Sequence, residues 1–323
     1  MQRNIARRDF LAGAAATAAA GAGLLAAGPA RADEFKTKLC GAMIGSPTEA
    51  YLSELKAAGF EGIESGDWNV SPAKAAAARE TAEKLGMKIH SVLLGWMRFN
   101  SDKPAEVEED IAKVTTALKA CQGYGASAVL VVPCRTGVGP MPEAWQFDIE
   151  FDEKTGHCSR VAKGDNAKYA DYIAAQNHAV DSSRKAVEKL IPVAEKTGVK
   201  IALENVWNNL WSAPRYFAHF IGSFDNPWVR AYFDIGNHVK YAPAEEWIRA
   251  LGKLTVKYHV KDFKLNANGH GGQFVHPRDG SINWPVVRAE IEKIGVDNWM
   301  TIEDGGLSLT EFRSRLDQIV AGK

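Results

Sequence analysis

The sequence predicts one α/β domain, a closed (β/α)8 TIM barrel, on three observations. Eight short apolar runs alternate with amphipathic helical patterns, which argues for a parallel sheet, and eight such units argue for closure. A glycine sits repeatedly between the end of a helical pattern and the next apolar run. Four of the runs end on a side chain able to hold a divalent metal, and a parallel barrel brings such ends to one face.

The strand-like runs fall near 38–44, 60–65, 88–93, 128–133, 200–205, 229–234, 255–261 and 299–303. Between them, 72–85 is rich in Ala, Lys and Glu with apolar residues at helical spacing. Val107, Ile111, Val114, Leu118 and Cys121 mark one face of a helix over 107–124. A long helix is expected over 170–196 with a break near Pro192, and 312–319 closes the chain. Gly59, Gly86, Gly125 and Gly198 stand where a left-handed helix C-cap belongs. A doubly wound nucleotide fold is disfavoured, because Gly41-Ala42-Met43-Ile44-Gly45-Ser46 lacks the glycine fingerprint after the first strand.

Ahead of the barrel, Arg7-Arg8-Asp9-Phe10-Leu11 forms a twin-arginine pattern followed by an Ala/Gly-rich stretch to about Ala27. Ala30-Arg31-Ala32 supplies a small-x-small cleavage site. Residues 1–32 therefore read as a signal for the twin-arginine export machinery, with residues 33–323 as the catalytic barrel and the periplasm as its location. The stretch is poor in Leu, Ile and Val, too weakly apolar for a stable membrane anchor. A substrate of this pathway crosses the membrane folded, so a metal can be loaded before export.

The whole chain carries 39 basic and 39 acidic residues. Cleavage removes four arginines and one aspartate, leaving 35 basic and 38 acidic, a net charge of −3. That balance offers no electrostatic footprint for nucleic acid. Cys40 and Cys121 lie on apolar patterns and read as buried thiols. Cys134 and Cys158 flank an insertion and could pair as a disulfide in an oxidising compartment. The sequence leaves a homo-oligomer open.

The four metal-type endings are Glu204 after Ile201-Ala202-Leu203, Asp234 after Ala231-Tyr232-Phe233, His259 after Val256-Lys257-Tyr258, and Glu303 after Met300-Thr301-Ile302. Three carboxylates and one imidazole form a hard, oxygen-rich set suited to one Mn²⁺ or Co²⁺, with Mg²⁺, Fe²⁺ and Zn²⁺ also compatible. Long loops follow the fourth, fifth and seventh strands, and Trp68, Trp96, Trp145, Trp207 and Trp211 follow strands two to five. Tryptophans around a polar site suit stacking against a sugar ring.

The segments Leu203-Glu204-Asn205, Phe233-Asp234-Ile235-Gly236-Asn237, Tyr258-His259-Val260-Lys261-Asp262 and Ile302-Glu303-Asp304 resemble the sugar isomerase/epimerase superfamily with a xylose-isomerase-like barrel. Glu204-Asn205-Val206-Trp207-Asn208 and Gly280-Ser281-Ile282-Asn283-Trp284 resemble a narrower secreted branch, some members of which eliminate the aglycone from 3-keto-glycosides. The resemblance implies a divalent metal on Glu204, Asp234, His259 and Glu303. In the ketose-epimerase pattern a histidine stands three residues after the metal aspartate; here that position is Asn237, and His238 follows.

The chemistry expected is proton abstraction beside a metal-bound carbonyl, through an enediolate. Glu204 and Glu303 are the natural base and acid. Return of the proton isomerises or epimerises, and loss of a β-substituent gives a lyase acting on a glycoside. A non-catalytic sugar-binding protein is the alternative of another class. His90, Lys261, Asn237, Trp207 and Arg278 are candidate substrate contacts, with Glu64 and His238 weaker ones. Lys261 is also placed to pair with Asp262, and His90 to be a buried structural residue.

Overall fold

The computed structural model describes residues 35–323, so the export segment expected over 1–32 lies outside them. Eight parallel strands close a barrel in the order β1, β12, β9, β8, β7, β4, β3, β2. They are β1 (Leu39–Gly45), β2 (Gly62–Ser65), β3 (Lys88–Trp96), β4 (Ala128–Val132), β7 (Lys200–Glu204), β8 (Val229–Asp234), β9 (Thr255–Val260) and β12 (Asn298–Ile302). The helices outside are α1 (Glu49–Ala57), α2 (Pro72–Lys84), α3 (Pro104–Gly123), α4 (Ala170–Thr197), α5 (Pro214–Gly222), α6 (Ala244–Leu251), α7 (Trp284–Ile294) and α8 (Leu309–Val320). Among the described residues no helix is long and apolar enough to cross a membrane.

Local chemistry sets the helix ends. Thr48, Ser71, Asn283 and Ser308 each accept a bond from a backbone N–H in the first turn of α1, α2, α7 and α8. Pro72, Pro104 and Pro214 stand in the first turn, where a missing N–H costs nothing. The four glycines at the αβ joints all take positive φ, between 66° and 93°. The break expected at Pro192 does not occur, and α4 runs unbroken through it. Val187, Leu190 and Ala194 on either side are buried, so packing of one continuous apolar stripe outweighs the lost hydrogen bond.

Two hairpins stand where long loops were expected. β5 (Phe147–Phe151) pairs antiparallel with β6 (Cys158–Ala162) in the insertion after β4. β10 (Asp262–Leu265) pairs antiparallel with β11 (Gly272–Val275) after β9. Phe147, Ile149 and Phe151 alternate with Asp148 and Glu150, a period-2 pattern visible in the sequence.

All four cysteines are free. This corrects the Cys134–Cys158 pairing. Cys134 Sγ lies 3.4 Å from Ser183 Oγ, whereas the backbone of Cys158 is held by Asn177. Those anchors are six residues apart on α4, about 9 Å of helix. Burial pushes both thiols up to about 12.

The main core fills the space between strands and helices, with Phe217, Phe220, Trp247 and Leu316 fully enclosed. A smaller cluster of Ala128, Leu130, Val132, Ala202 and Tyr232 fills the inside of the barrel. Beside it lie buried polar residues: Glu64, His90, Lys257, His259 and Thr301. Such groups in a barrel interior must be paired or hold something.

Candidate metal centre

Glu204 and Asp234 are the last residues of β7 and β8, His259 is the fifth of β9, and Glu303 follows β12. These four strands are consecutive around the barrel. Asp234 lies in register with His259, and the Glu303 N–H donates to the Val260 carbonyl at 3.2 Å. The pleat turns alternate residues inward, so Tyr232 and Asp234, Lys257 and His259, and Thr301 and Glu303 share the interior.

The four donors converge. His259 Nδ1 lies 2.9 Å from Glu303 Oε2, 3.6 Å from Glu204 Oε1 and 3.9 Å from Asp234 Oδ2. One ligand atom from each residue falls within 4.8 Å of all the others. Neighbouring groups aim each atom. Asp234 Oδ1 accepts the N–H groups of Gly236 (2.8 Å) and Asn237 (2.6 Å), which leaves Oδ2 for the centre. The Asn205 side chain clamps both backbone groups of Asp234, accepting from N at 2.7 Å and donating to O at 2.8 Å. His259 Nε2 lies 2.5 Å from Glu64 Oε2; with Nε2–H donating there, the Nδ1 lone pair faces the carboxylates.

Three of the converging atoms, Asp234 Oδ2, His259 Nδ1 and Glu303 Oε2, are buried with no well-aligned hydrogen bond, and the polar side-chain atoms close to them are one another, Glu204 Oε1 and Lys261 Nζ. Buried acceptors without a well-aligned donor, a hard donor set and an excess of negative charge fit a divalent cation. Lys261 Nζ partly balances that charge, 2.7 Å from Glu303 Oε2 and 3.1 Å from Asp234 Oδ2. Gly236 makes its position available, since a Cβ there would fall 2.5 Å from Lys261 Cγ.

Burial pushes the Asp234 carboxyl up to about 7, opposed by Lys261 and reinforced by Glu303 and Glu204. Burial likewise raises Glu204. For Glu303 burial acts upward too, but His259 and Lys261 outweigh it and hold the carboxyl low. Burial alone would lower His259; the surrounding acids, Glu64 first, raise it well above an ordinary histidine.

The other candidate residues scatter. Asn237 adjoins the centre: its Nδ2 donates to the Asn205 carbonyl at 3.0 Å and lies 3.3 Å from Glu204 Oε1. Trp207 borders it, its indole N–H donating to the Asn237 carbonyl. Lys261 contacts Asp234 and Glu303 rather than Asp262, because successive residues leave the backbone on opposite sides. His90 is not at a strand end; β3 continues to Trp96. Its ring stacks on Trp299 and bonds Ser91 and Thr301, inside the barrel. The Arg278 side chain reaches Gln318 on α8, and only its backbone N–H serves the site's framework, donating to Asp262. His238 bonds the Val206 carbonyl and packs against Trp247 and Tyr241; burial lowers it to about 3. Of the five tryptophans, Trp211 is core, only 1% exposed and stacked on Phe220.

Two features escaped the sequence reading. Asp262 is a fully buried carboxylate that organises the loop after β11, accepting from Phe263 N–H (2.8 Å), Arg278 N–H (2.9 Å) and Trp284 Nε1 (3.0 Å). A Cβ on Gly280 would fall 2.0 Å from its Oδ1. A cleft of about 480 Å³ opens onto the centre, lined by Lys261, Glu303, Asp304, Phe274 and His276. There His276 Nδ1 bonds Asp304 Oδ2 at 2.7 Å. The tandem acids Glu303-Asp304 were the only sequence signal for that pair.

Residues 52–315 match the xylose isomerase-like TIM barrel family, and the chain belongs to it. An uncharacterised protein of Methanocaldococcus jannaschii is 24% identical over 218 residues; the match covers 64% of this chain and 62% of that protein. The barrel is similar to the 3-keto-D-glucoside 4-epimerase of E. coli, at 12% identity and a TM-score of 0.62, covering 87% of this chain and 99% of the other. It is similar to a D-psicose 3-epimerase at 13% identity and a TM-score of 0.64, covering 88% and 100%. A zinc-bound barrel, the IOLI protein, is 16% identical with a TM-score of 0.63, covering 87% and 96%.

Proposed function

We propose that this chain is a divalent-metal-dependent isomerase or epimerase of a keto-sugar. The observation that carries the reading is the convergence of Glu204, Asp234, His259 and Glu303 at the end of a barrel that opens into a cleft. These four would hold one ion, Mn²⁺ or Co²⁺ by donor type. Such an ion, when bound, polarises a substrate carbonyl and acidifies the neighbouring C–H.

The chain's own residues supply the rest. Glu303 lines the cleft with its side chain about one-third exposed, whereas Glu204 is buried and does not line it. The two carboxylates come from β7 and β12, on either flank of β8 and β9, and are proposed to act on a bound sugar from different directions. One takes the α-proton and the other returns a proton to the adjacent carbon or to the opposite face. Lys261, between Asp234 and Glu303, is positioned to donate to the oxygen that gains charge. Asn237 orients Glu204. The twin-arginine pattern supports a periplasmic location, where phosphorylated sugars are scarce, so the substrate is proposed to be unphosphorylated. The epimerases among the structural neighbours support the reaction class.

The test is exchange of the substrate α-proton with solvent deuterium, followed by NMR, with metal content measured on the same samples. Exchange should require metal, and Glu204→Gln or Glu303→Gln should slow it roughly 10²–10⁴-fold. If both variants keep metal and exchange at the wild-type rate, neither glutamate is the base.

A further inference from the structure

The cleft beside the metal centre holds a histidine–carboxylate pair that the chemistry above does not use. His276 directly follows β11, and Asp304 directly follows the ligand Glu303. Both line the cleft, together with Glu303 and Lys261. His276 Nδ1 lies 2.7 Å from Asp304 Oδ2, and the other oxygen of that carboxylate accepts the Gly305 N–H at 2.7 Å. The ring packs edge-on against Phe312 of α8, 6.3 Å between centres and 75° between planes. The backbone behind it is tied down residue by residue. The Pro277 carbonyl accepts from Arg315 at 2.8 Å, and the Arg278 N–H donates to Asp262 at 2.9 Å. The Asp279 N–H donates to the His276 carbonyl at 3.0 Å.

With Nδ1–H donating to Asp304, Nε2 keeps its lone pair, and among the described residues nothing bonds it. The side chain is 37% exposed, so a molecule in the cleft can reach it. The other charged groups of the cleft wall are committed or of the wrong kind. Lys261 is held by Asp234 and Glu303, and Asp279 by Arg315. The Lys264 ammonium offers donors only. An imidazole whose tautomer is set by a carboxylate, in the wall of a reaction cleft, has the geometry of a proton carrier.

We propose that His276, oriented by Asp304, carries a proton between two oxygens of the sugar, so that the reaction is an aldose–ketose isomerisation. This rests on the proposed function for the chemistry at carbon. When a glutamate removes the α-proton, the C–H pair becomes the C=C bond of the enediolate and the carbonyl pair moves onto its oxygen. His276 Nε2 then takes the proton of the neighbouring hydroxyl and delivers it to that oxygen. The deprotonated oxygen becomes the new carbonyl as the glutamate's proton goes to the former carbonyl carbon. Atoms and charge balance with no further reactant. An epimerisation returns the proton to its own carbon, each oxygen keeps its role, and no such carrier is needed.

Two measurements on the full chain test the carrier. The first needs no turnover. 1-Bromo-3-hydroxypropan-2-one carries bromine where a ketose carries its hydroxyl, and attack by Nε2 forms a C–N bond as bromide leaves. Peptide mass spectrometry should place the label on His276. Asp304→Asn, which reverses the tautomer, should slow that labelling roughly tenfold or more. The second follows D-fructose, D-psicose and D-tagatose in deuterium oxide by NMR. His276→Asn should lower the ratio of aldose formed to α-protons exchanged by roughly 10²–10⁴-fold, whereas Glu303→Gln should lower both together. Labelling that avoids His276, a ratio that does not move, or epimer as the sole wild-type product overturns the carrier. If the wild type exchanges no α-proton with any of the three, the proposed function falls, and the labelling alone decides whether the pair is an acid–base site.

Discussion

Glu64 Oε2 lies 2.5 Å from His259 Nε2 although their strands, β2 and β9, are not neighbours in the barrel. Both side chains are fully buried. The pair spans the barrel interior and fixes which imidazole nitrogen faces the carboxylates. A carboxylate behind a metal-binding histidine also makes it a better donor.

Replacing Glu64 should therefore act on the metal rather than on the substrate. Glu64→Gln should weaken metal affinity by roughly 10–100-fold. Competition with a chelating indicator measures this, and circular dichroism checks that the barrel is intact. Unchanged affinity would make the pair purely structural.

Asp234 is aimed by three backbone and side-chain partners, so its loss removes a positioned ligand. Asp234→Asn should lower metal occupancy by roughly tenfold or more, on the scale of losing a metal-orienting partner. Elemental analysis of the purified variant reads this directly, and wild-type stoichiometry would remove Asp234 from the ligand set.

Lys261 should behave in the opposite way. Lys261→Met takes a cation away from three acids, so metal should be retained or bound more tightly. The α-proton exchange rate should fall by roughly 10²–10³-fold, the range for losing one donor to a developing oxyanion. A fall in metal content that accounts for the whole rate loss would make Lys261 structural.

Glu292 on α7 should make stability depend on acid pH. Burial raises its carboxyl, but Thr37, the backbone N–H groups of Lys36 and Thr37, and Arg288 outweigh that and hold it near 2. A folded-state pKa below the unfolded value stabilises the protein at neutral pH, and that contribution is lost as pH falls from about 4.5 toward 2. The side chain is 22% exposed, so solvent screening reduces the contribution to about 1–2 kcal/mol. Denaturant unfolding should show Glu292→Gln destabilised by that amount at pH 7, with the gap narrowing below about pH 4.5 and closing toward pH 2. A gap independent of pH would mean that packing, not charge, is at work.

The exported protein should begin near Asp33. N-terminal sequencing of the periplasmic fraction checks this, and an intact Arg7-Arg8 on a membrane-bound pool would overturn it.

The barrel was legible because its signals are local. Short apolar runs, helical stripes and the glycines at four αβ joints can be read within about ten residues. The four converging donors were legible for a related reason: in a parallel barrel, strand-end position alone places a side chain at one face. The β10–β11 hairpin was missed because short, exposed strands carry little hydrophobic signal, whereas the β5 alternation of Phe147, Ile149 and Phe151 was present in the sequence and went unread. Pro192 misled because local propensity favoured a break, while the packing that carries α4 through it is tertiary. Asp262 was expected to pair with its neighbour Lys261, yet it binds a backbone N–H 16 residues away and an indole 22 away.

The sequence by itself determined the alternation of strands and helices, the closed fold and which residues end the strands, since each follows from periodicity and chain order. Only the tertiary structure decided which of those residues meet. It set Glu64 behind His259, turned Arg278 outward, sealed His90 beneath the centre, and swung Lys261 onto Asp234 and Glu303. It also joined Trp145, Trp207 and Lys240 into one cleft. Each of these depends on barrel register and loop packing between residues tens to more than 200 positions apart, a distance over which sequence pattern carries no direct geometric information.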